Sequence, residues 1–333
     1  MPPPVLTGDV RPPTDQREVI LISVCTALLF KNFLFLLYTF FQRRYLPLKC
    51  KNLPLMYWTY FATVAWFIGN VYTNQTIAPK SSWFVCVVTY SWLKMSLGGY
   101  LWMSLFQFRV YQFIAIFIWK RRVQGKYLWY PVAYMVAIPL AYAIVAAALP
   151  QNIGLKYIPP LELCFGSKAY FYVAMALVFF QILAFIFIIF MARNIHTCFN
   201  EYTEILVCFF VALGALIGGI VTFWIPATPH RAFIFGTLNT VLPIATAQVY
   251  FYVLLVRPVY HSVFDKEEYL KFFLARMRQY NLIREYQMAN NESTSGLGSG
   301  KRSALASHGA MPGQVPYDNS RTNSEYYQFE GNL

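Results

Sequence analysis

Seven apolar runs, each long enough to cross a bilayer, divide the chain between Val19 and Val256, with short loops between them. A transmembrane helix needs about 20 predominantly apolar residues, and residues 19–42, 54–73, 83–118, 128–149, 169–192, 205–225 and 232–256 all qualify. Hydrocarbon offers no partner for an open backbone group. The expected fold is therefore all-α, a seven-transmembrane helix bundle over residues 19–258. Only two charged side chains, Lys31 and Lys94, fall deep inside the runs. A composition of 58% hydrophobic and 12% charged residues over 333 positions leaves too little polar surface for a water-soluble fold.

The chain carries 27 Lys and Arg against 14 Asp and Glu, a net +13. In a soluble protein this excess would point to nucleic acid; in a multi-pass chain it reports cytoplasmic loops and anionic inner-leaflet lipid, and no nucleic-acid partner is expected. Arg43, Arg44, Lys49 and Lys51 follow the first run, and Lys120, Arg121, Arg122 and Lys126 follow the third. Both loops are expected inside, which places the 1–18 tail outside and the C-terminus inside a plasma-membrane protein. Asn74-Gln75-Thr76 is then a glycosylation sequon on an outer loop.

Beyond Arg257-Pro258, residues 259–288 read as a basic cytoplasmic segment whose helix, 265–287, has Asp265 as its cap and Leu270, Phe273, Leu274, Met277 and Ile283 on one face. Lys271, Arg276, Arg278 and Arg284 surround that face, as in helices that lie on anionic lipid or dock a partner. Residues 289–333, rich in Ser, Gly and Asn, are expected to be disordered.

Of six cysteines only Cys86 and Cys164 fall on the outer side of this topology, where an oxidising compartment can join them. No His or Cys spacing suggests a metal, no glycine loop suggests a nucleotide, and neither a cofactor nor catalysis is expected. Lys94 lies about 16 Å from the outer end of its helix at 1.5 Å per residue, too deep to snorkel easily. Ser91, Lys94 and Gly98 share one face of an ideal α-helix, so Lys94 and Ser91 are expected to line a polar cavity holding water or a ligand.

The most specific local pattern is Arg193-Asn194-Ile195, then Phe199-Asn200-Glu201, then an apolar helix closing at Trp224-Ile225-Pro226. It resembles the class C, or glutamate-family, G-protein-coupled receptors at the end of helix five and across helix six. Arg109-Val110-Tyr111, the Cys86 and Cys164 positions, and Tyr252 followed by Arg257-Pro258 extend the resemblance over about residues 19–260. The family's helix-three Lys falls on Phe106, its helix-six Trp on Val221 and its helix-seven Pro-Lys pair on Val249-Tyr250. The chain resembles in type the seven-helix regulator-of-G-protein-signalling proteins of fungi and plants, though the residues after Pro258 are expected to be too few and too polar for their regulator domain.

The resemblance implies a receptor-like signalling protein that couples an outer or intramembrane stimulus to a cytoplasmic heterotrimeric G protein. Arg109, near the inner end of helix three, is expected to pair with Glu201 or Glu204 in the inactive state, and Arg121 and Arg122 to meet the G protein. The ligand stays unknown and a dimer stays open. A seven-helix transporter or channel, or a scaffold that senses nothing, are the alternatives; a retinal pump would need a Lys within 232–256, and none is there.

Overall fold

A computed structural model describes residues 16–73, 83–119, 126–150, 153–158, 163–193, 201–224 and 229–279. Helix forms wherever the described residues coincide with an apolar run, because such a segment must satisfy its own backbone. In chain order these are α1 (Gln16–Phe41), the short α2 (Leu46–Cys50), α3 (Leu53–Thr73) and α4 (Trp83–Cys86), which leads into a π-helical stretch, π1 (Val87–Tyr100). α5 (Leu101–Phe113) and π2 (Ile114–Ile118) complete that helix; α6 (Lys126–Ala148), α7 (Lys168–Ala192), α8 (Glu201–Trp224), α9 (Pro229–Phe264) and α10 (Lys266–Gln279) follow.

Among the described residues five helices are long and apolar enough to cross a membrane: α1, and the segments Leu128–Ala148, Ala169–Ala192, Tyr202–Val221 and Thr237–Phe264. The chain thus has the architecture of a multi-pass helical membrane protein. Exposed side chains such as Phe30, Phe41, Phe179 and Phe187 give α1 and α7 the apolar outer surfaces that lipid requires. The two remaining runs are helical but differ in character. α3 turns Thr59, Thr63 and Asn70 into the bundle, which dilutes its apolarity, and residues 83–118 alternate α and π hydrogen bonding. At the second switch Trp119 N–H donates to Ile114 O, five residues back, at 3.1 Å.

Three sequence expectations change. The bundle is not purely α, because β1 (Leu155–Ile158) and β2 (Leu163–Gly166) form an antiparallel hairpin between α6 and α7, with Tyr157 opposite Cys164. The seventh helix does not stop at Arg257-Pro258 but continues through Pro258 to Phe264. Proline removes one amide donor, yet the helix continues, and its end is held to α1 where Ser262 Oγ meets Tyr38 Oη at 2.9 Å. Finally, α10 starts just after Asp265 as expected, yet part of its apolar face, Tyr269 and Leu270, packs against the core instead of lying free for lipid. Residues 280–287 of the expected helix and the 289–333 tail lie outside the described residues.

The tightest helix crossing sets the site. A Cβ added to Gly69 of α3 would stand 2.5 Å from the Lys94 backbone nitrogen, and one added to Gly98 of π1 would stand 2.5 Å from Cβ of Trp66. Backbones approach this closely only at small residues. The crossing therefore pins the Lys94 backbone against α3.

Candidate ligand cavity and its link to the Glu204 end

The cavity encloses about 370 Å³ between α3, π1 with α5, α7, α8 and α9. Lys94, 7% exposed, lines it, with Nζ 5.6 Å from the Tyr90 ring centroid. This distance is within cation–π reach. Among the described residues no carboxylate pairs with the ammonium. The wall is mainly apolar and aromatic, with Trp66, Tyr90, Tyr100, Trp102 and Phe171 as its rings; Thr63, Gln181, Asn239 and Thr246 supply polar positions. The expectation of a polar cavity is thus corrected: the charge stands in a largely apolar one.

Ser91 does not join Lys94 there. Its Oγ lies 2.7 Å from Tyr170 Oη, which also accepts a hydrogen bond from Tyr142 Oη at 2.6 Å. A π-helix returns on itself more slowly than the 3.6 residues of an α-helix, so residues three apart no longer share a face. Ser91 is turned into a buried hydroxyl chain joining π1, α6 and α7. Ser96 in the same stretch donates to Pro139 O of α6 at 2.7 Å. Lys31 is exposed on α1, away from the cavity.

Rings lead away from the cavity floor. Trp102 packs edge-on against Phe106 at 5.7 Å and Tyr250 at 5.6 Å between centroids; Phe106 in turn meets Phe185 at 4.7 Å, and Phe185 meets Phe209 at 4.9 Å. Phe106 and Tyr250 are both fully buried. An aromatic pair contributes about 0.5 to 1.5 kcal/mol beyond its area. α5, α7, α8 and α9 are thereby linked to one another through rings.

One turn beyond Phe106 lies Arg109, 1% exposed. Its Nη1 donates to Met56 Sδ at 3.0 Å and its guanidinium sits 5.7 Å from the Phe113 ring centroid, while Nε and Nη2 find no hydrogen-bond partner among the described residues. Among the described residues Arg109 makes no ion pair with Glu204, and the side chain of Glu201, the other expected partner, lies outside them. Glu204 instead accepts from Lys51 Nζ at 2.7 Å, because the turn before α3 carries Lys51 to the start of α8. Asn52 makes that turn with φ 52°, a left-handed conformation that Asn tolerates. Arg109, Lys51 and Glu204 all lie near enough to Cys208 to act on it electrostatically.

The other predicted residues divide by position. Arg193 caps the end of α7 and stacks over Phe190 at 4.1 Å. Glu201 and Trp224 are the first and last residues of α8, and Cys164 is on β2, but their side chains lie outside the described ones. Asn74, Arg121, Arg122, Asn194, Phe199, Asn200 and Pro226 lie outside the described residues altogether. Cys86 is fully buried and stands apart from the free thiols Cys25, Cys50 and Cys208. Lys51, Gln181 and the Tyr142–Tyr170 pair were not singled out from sequence. Lys51 looked like any basic loop residue, and only packing shows that it is buried and paired.

No protein-family model matches the chain, and no curated protein matches it.

Proposed function

We propose that the chain is a seven-span plasma-membrane receptor, N-terminus outside, that couples occupancy of the Lys94 cavity to a cytoplasmic heterotrimeric G protein. The observation that carries this is the packed path from the cavity to a buried arginine: Trp102 lines the cavity and packs on Phe106 and Tyr250, and Arg109 follows one turn on. Movement of α8 relative to α3 and α5 would break Lys51–Glu204 and free a face for the partner. Glu201, Arg121 and Arg122 are assigned to that face by the charge asymmetry of the loops and by the class C resemblance.

Arg109 has two guanidinium nitrogens without partners among the described residues in this arrangement. Those donors suit a second state in which Glu201, Glu204 or a carbonyl of the G protein accepts from them. On the opposite side, Cys86 and Cys164 form the disulfide that ties helix three to the hairpin, supported by the contact of α4 with β1 and by the absence of Cys86 from the free thiols. The exposed basic residues early in α10, such as Lys271, rest on anionic inner-leaflet lipid.

The test is guanine-nucleotide exchange on a purified heterotrimeric G protein, with the full chain in nanodiscs. Catalysed exchange above that of empty nanodiscs supports the receptor. Unchanged exchange, together with solute flux in sealed vesicles, selects a transporter instead.

A further inference from the structure

Buried charge normally comes with a partner, because an unpaired ion in a low-dielectric interior is expensive. Lys94 departs from that rule. It is more than nine-tenths buried and lines the cavity, with its ammonium 5.6 Å from the Tyr90 ring centroid and no carboxylate paired with it among the described residues. Its backbone cannot withdraw, since Gly69 of α3 is pressed against it. The rest of the wall is mainly rings, aliphatic, Met and small side chains, with Gln181 and Asn239 as the amide positions and Thr63 and Thr246 as hydroxyls.

Resting on the receptor reading for the identity of the site, we propose that its ligand is an apolar molecule bearing one carboxylate or comparable oxyanion. The anion sits on the Lys94 ammonium, and the apolar body fills the space between Trp66, Trp102 and Phe171. An aqueous cation would meet like charge here. A polar zwitterion would leave most of its groups unpaired against the apolar wall. A cavity of about 370 Å³ is at the lower end of the roughly 300 to 1,000 Å³ range of small-molecule sites, which suits one compact aryl or medium-chain acid.

Such an acid can arrive from water or from the bilayer, and two probe pairs separate these sources. 1-Naphthylacetate and its neutral amide represent the soluble route; dodecanoate and dodecanamide represent the lipid route. Equilibrium binding of each is measured on the full chain in nanodiscs, with empty nanodiscs subtracted. At least one acid should bind tenfold or more tightly than its amide, and Lys94→Gln should abolish that preference while Lys94→Arg keeps it. Amide binding retained by Lys94→Gln shows that the variant is folded; if it is lost, Lys94→Arg and Lys94→Met, checked for helicity by circular dichroism, take its place. Equal acid and amide binding, binding of neither acid, or a preference that survives loss of the charge overturns the proposal. Exchange assays on the same preparation separate the two ideas. Acid-selective binding without exchange leaves the anion site standing and removes the receptor, whereas exchange without acid preference does the reverse.

Discussion

Lys51 Nζ lies 2.7 Å from Glu204 Oε2, so the turn ahead of α3 is fastened to the first turn of α8 by a pair whose side chains are only 10% and 14% exposed. Exposed pairs contribute little, about 0 to 1 kcal/mol, whereas hydrogen bonds to charged groups in partly buried sites contribute about 1.5 to 3 kcal/mol. A double-mutant cycle with Lys51→Met and Glu204→Gln should give a coupling of about 1 to 3 kcal/mol in denaturant unfolding of the full chain. Additive single effects would place the pair among solvated surface charges.

The glycine crossing predicts a graded series. Gly69→Ala and Gly98→Ala drive a methyl into backbone and Cβ atoms that cannot swing aside, at contact distances of 2.5 Å. Overpacking of this kind costs about 1 to 3 kcal/mol. Gly214→Ala, with nothing within 4 Å of the added carbon, should be neutral or slightly stabilising. Thermal unfolding in detergent would rank the three, and equal midpoints would show that α3 and π1 are not in close contact.

The Ser91, Tyr170 and Tyr142 hydroxyls form one buried chain. Removing the middle member leaves two stranded hydroxyls, so Tyr170→Phe should destabilise by about 1 to 3 kcal/mol. The end variant Tyr142→Phe should cost less. A reversed order would mean that the chain is not connected through Tyr170.

Closing the hairpin onto helix three through Cys86 and Cys164 should contribute about 2 to 4 kcal/mol. Alkylation of the unreduced protein followed by peptide mapping should find both protected, and Cys86→Ser should lower the unfolding midpoint to the same extent as the double variant. Free alkylation of both positions would remove the tie.

The positions of the helices were legible because a run of apolar residues leaves a chain in lipid only one backbone solution. Starts such as Ser167, whose Oγ accepts from Tyr170 N–H at 3.1 Å, are written in local capping chemistry. Lys94 was legible as well, since charge stands out against hydrocarbon. What surrounds it was not. Side-chain direction was inferred from α periodicity, and π1 changes that periodicity, so Ser91 parted from Lys94. The partner of Glu204 was hidden for another reason: Lys51 and Glu204 are 153 positions apart, and nothing local in either segment specifies the approach. The hairpin was overlooked because its two strands have only four residues each, too few for an alternating pattern to emerge.

The most direct measurement is the basal rate of nucleotide exchange by a heterotrimeric G protein in the presence of the full chain in nanodiscs, compared between wild type and Glu204→Gln. Breaking the tie to Lys51 favours the open arrangement of α8, so the variant should raise exchange several-fold over wild type. The charge-swapped pair Lys51→Glu with Glu204→Lys should return it toward the wild-type rate. Exchange equal to that of empty nanodiscs for wild type and variant alike would contradict coupling to a G protein.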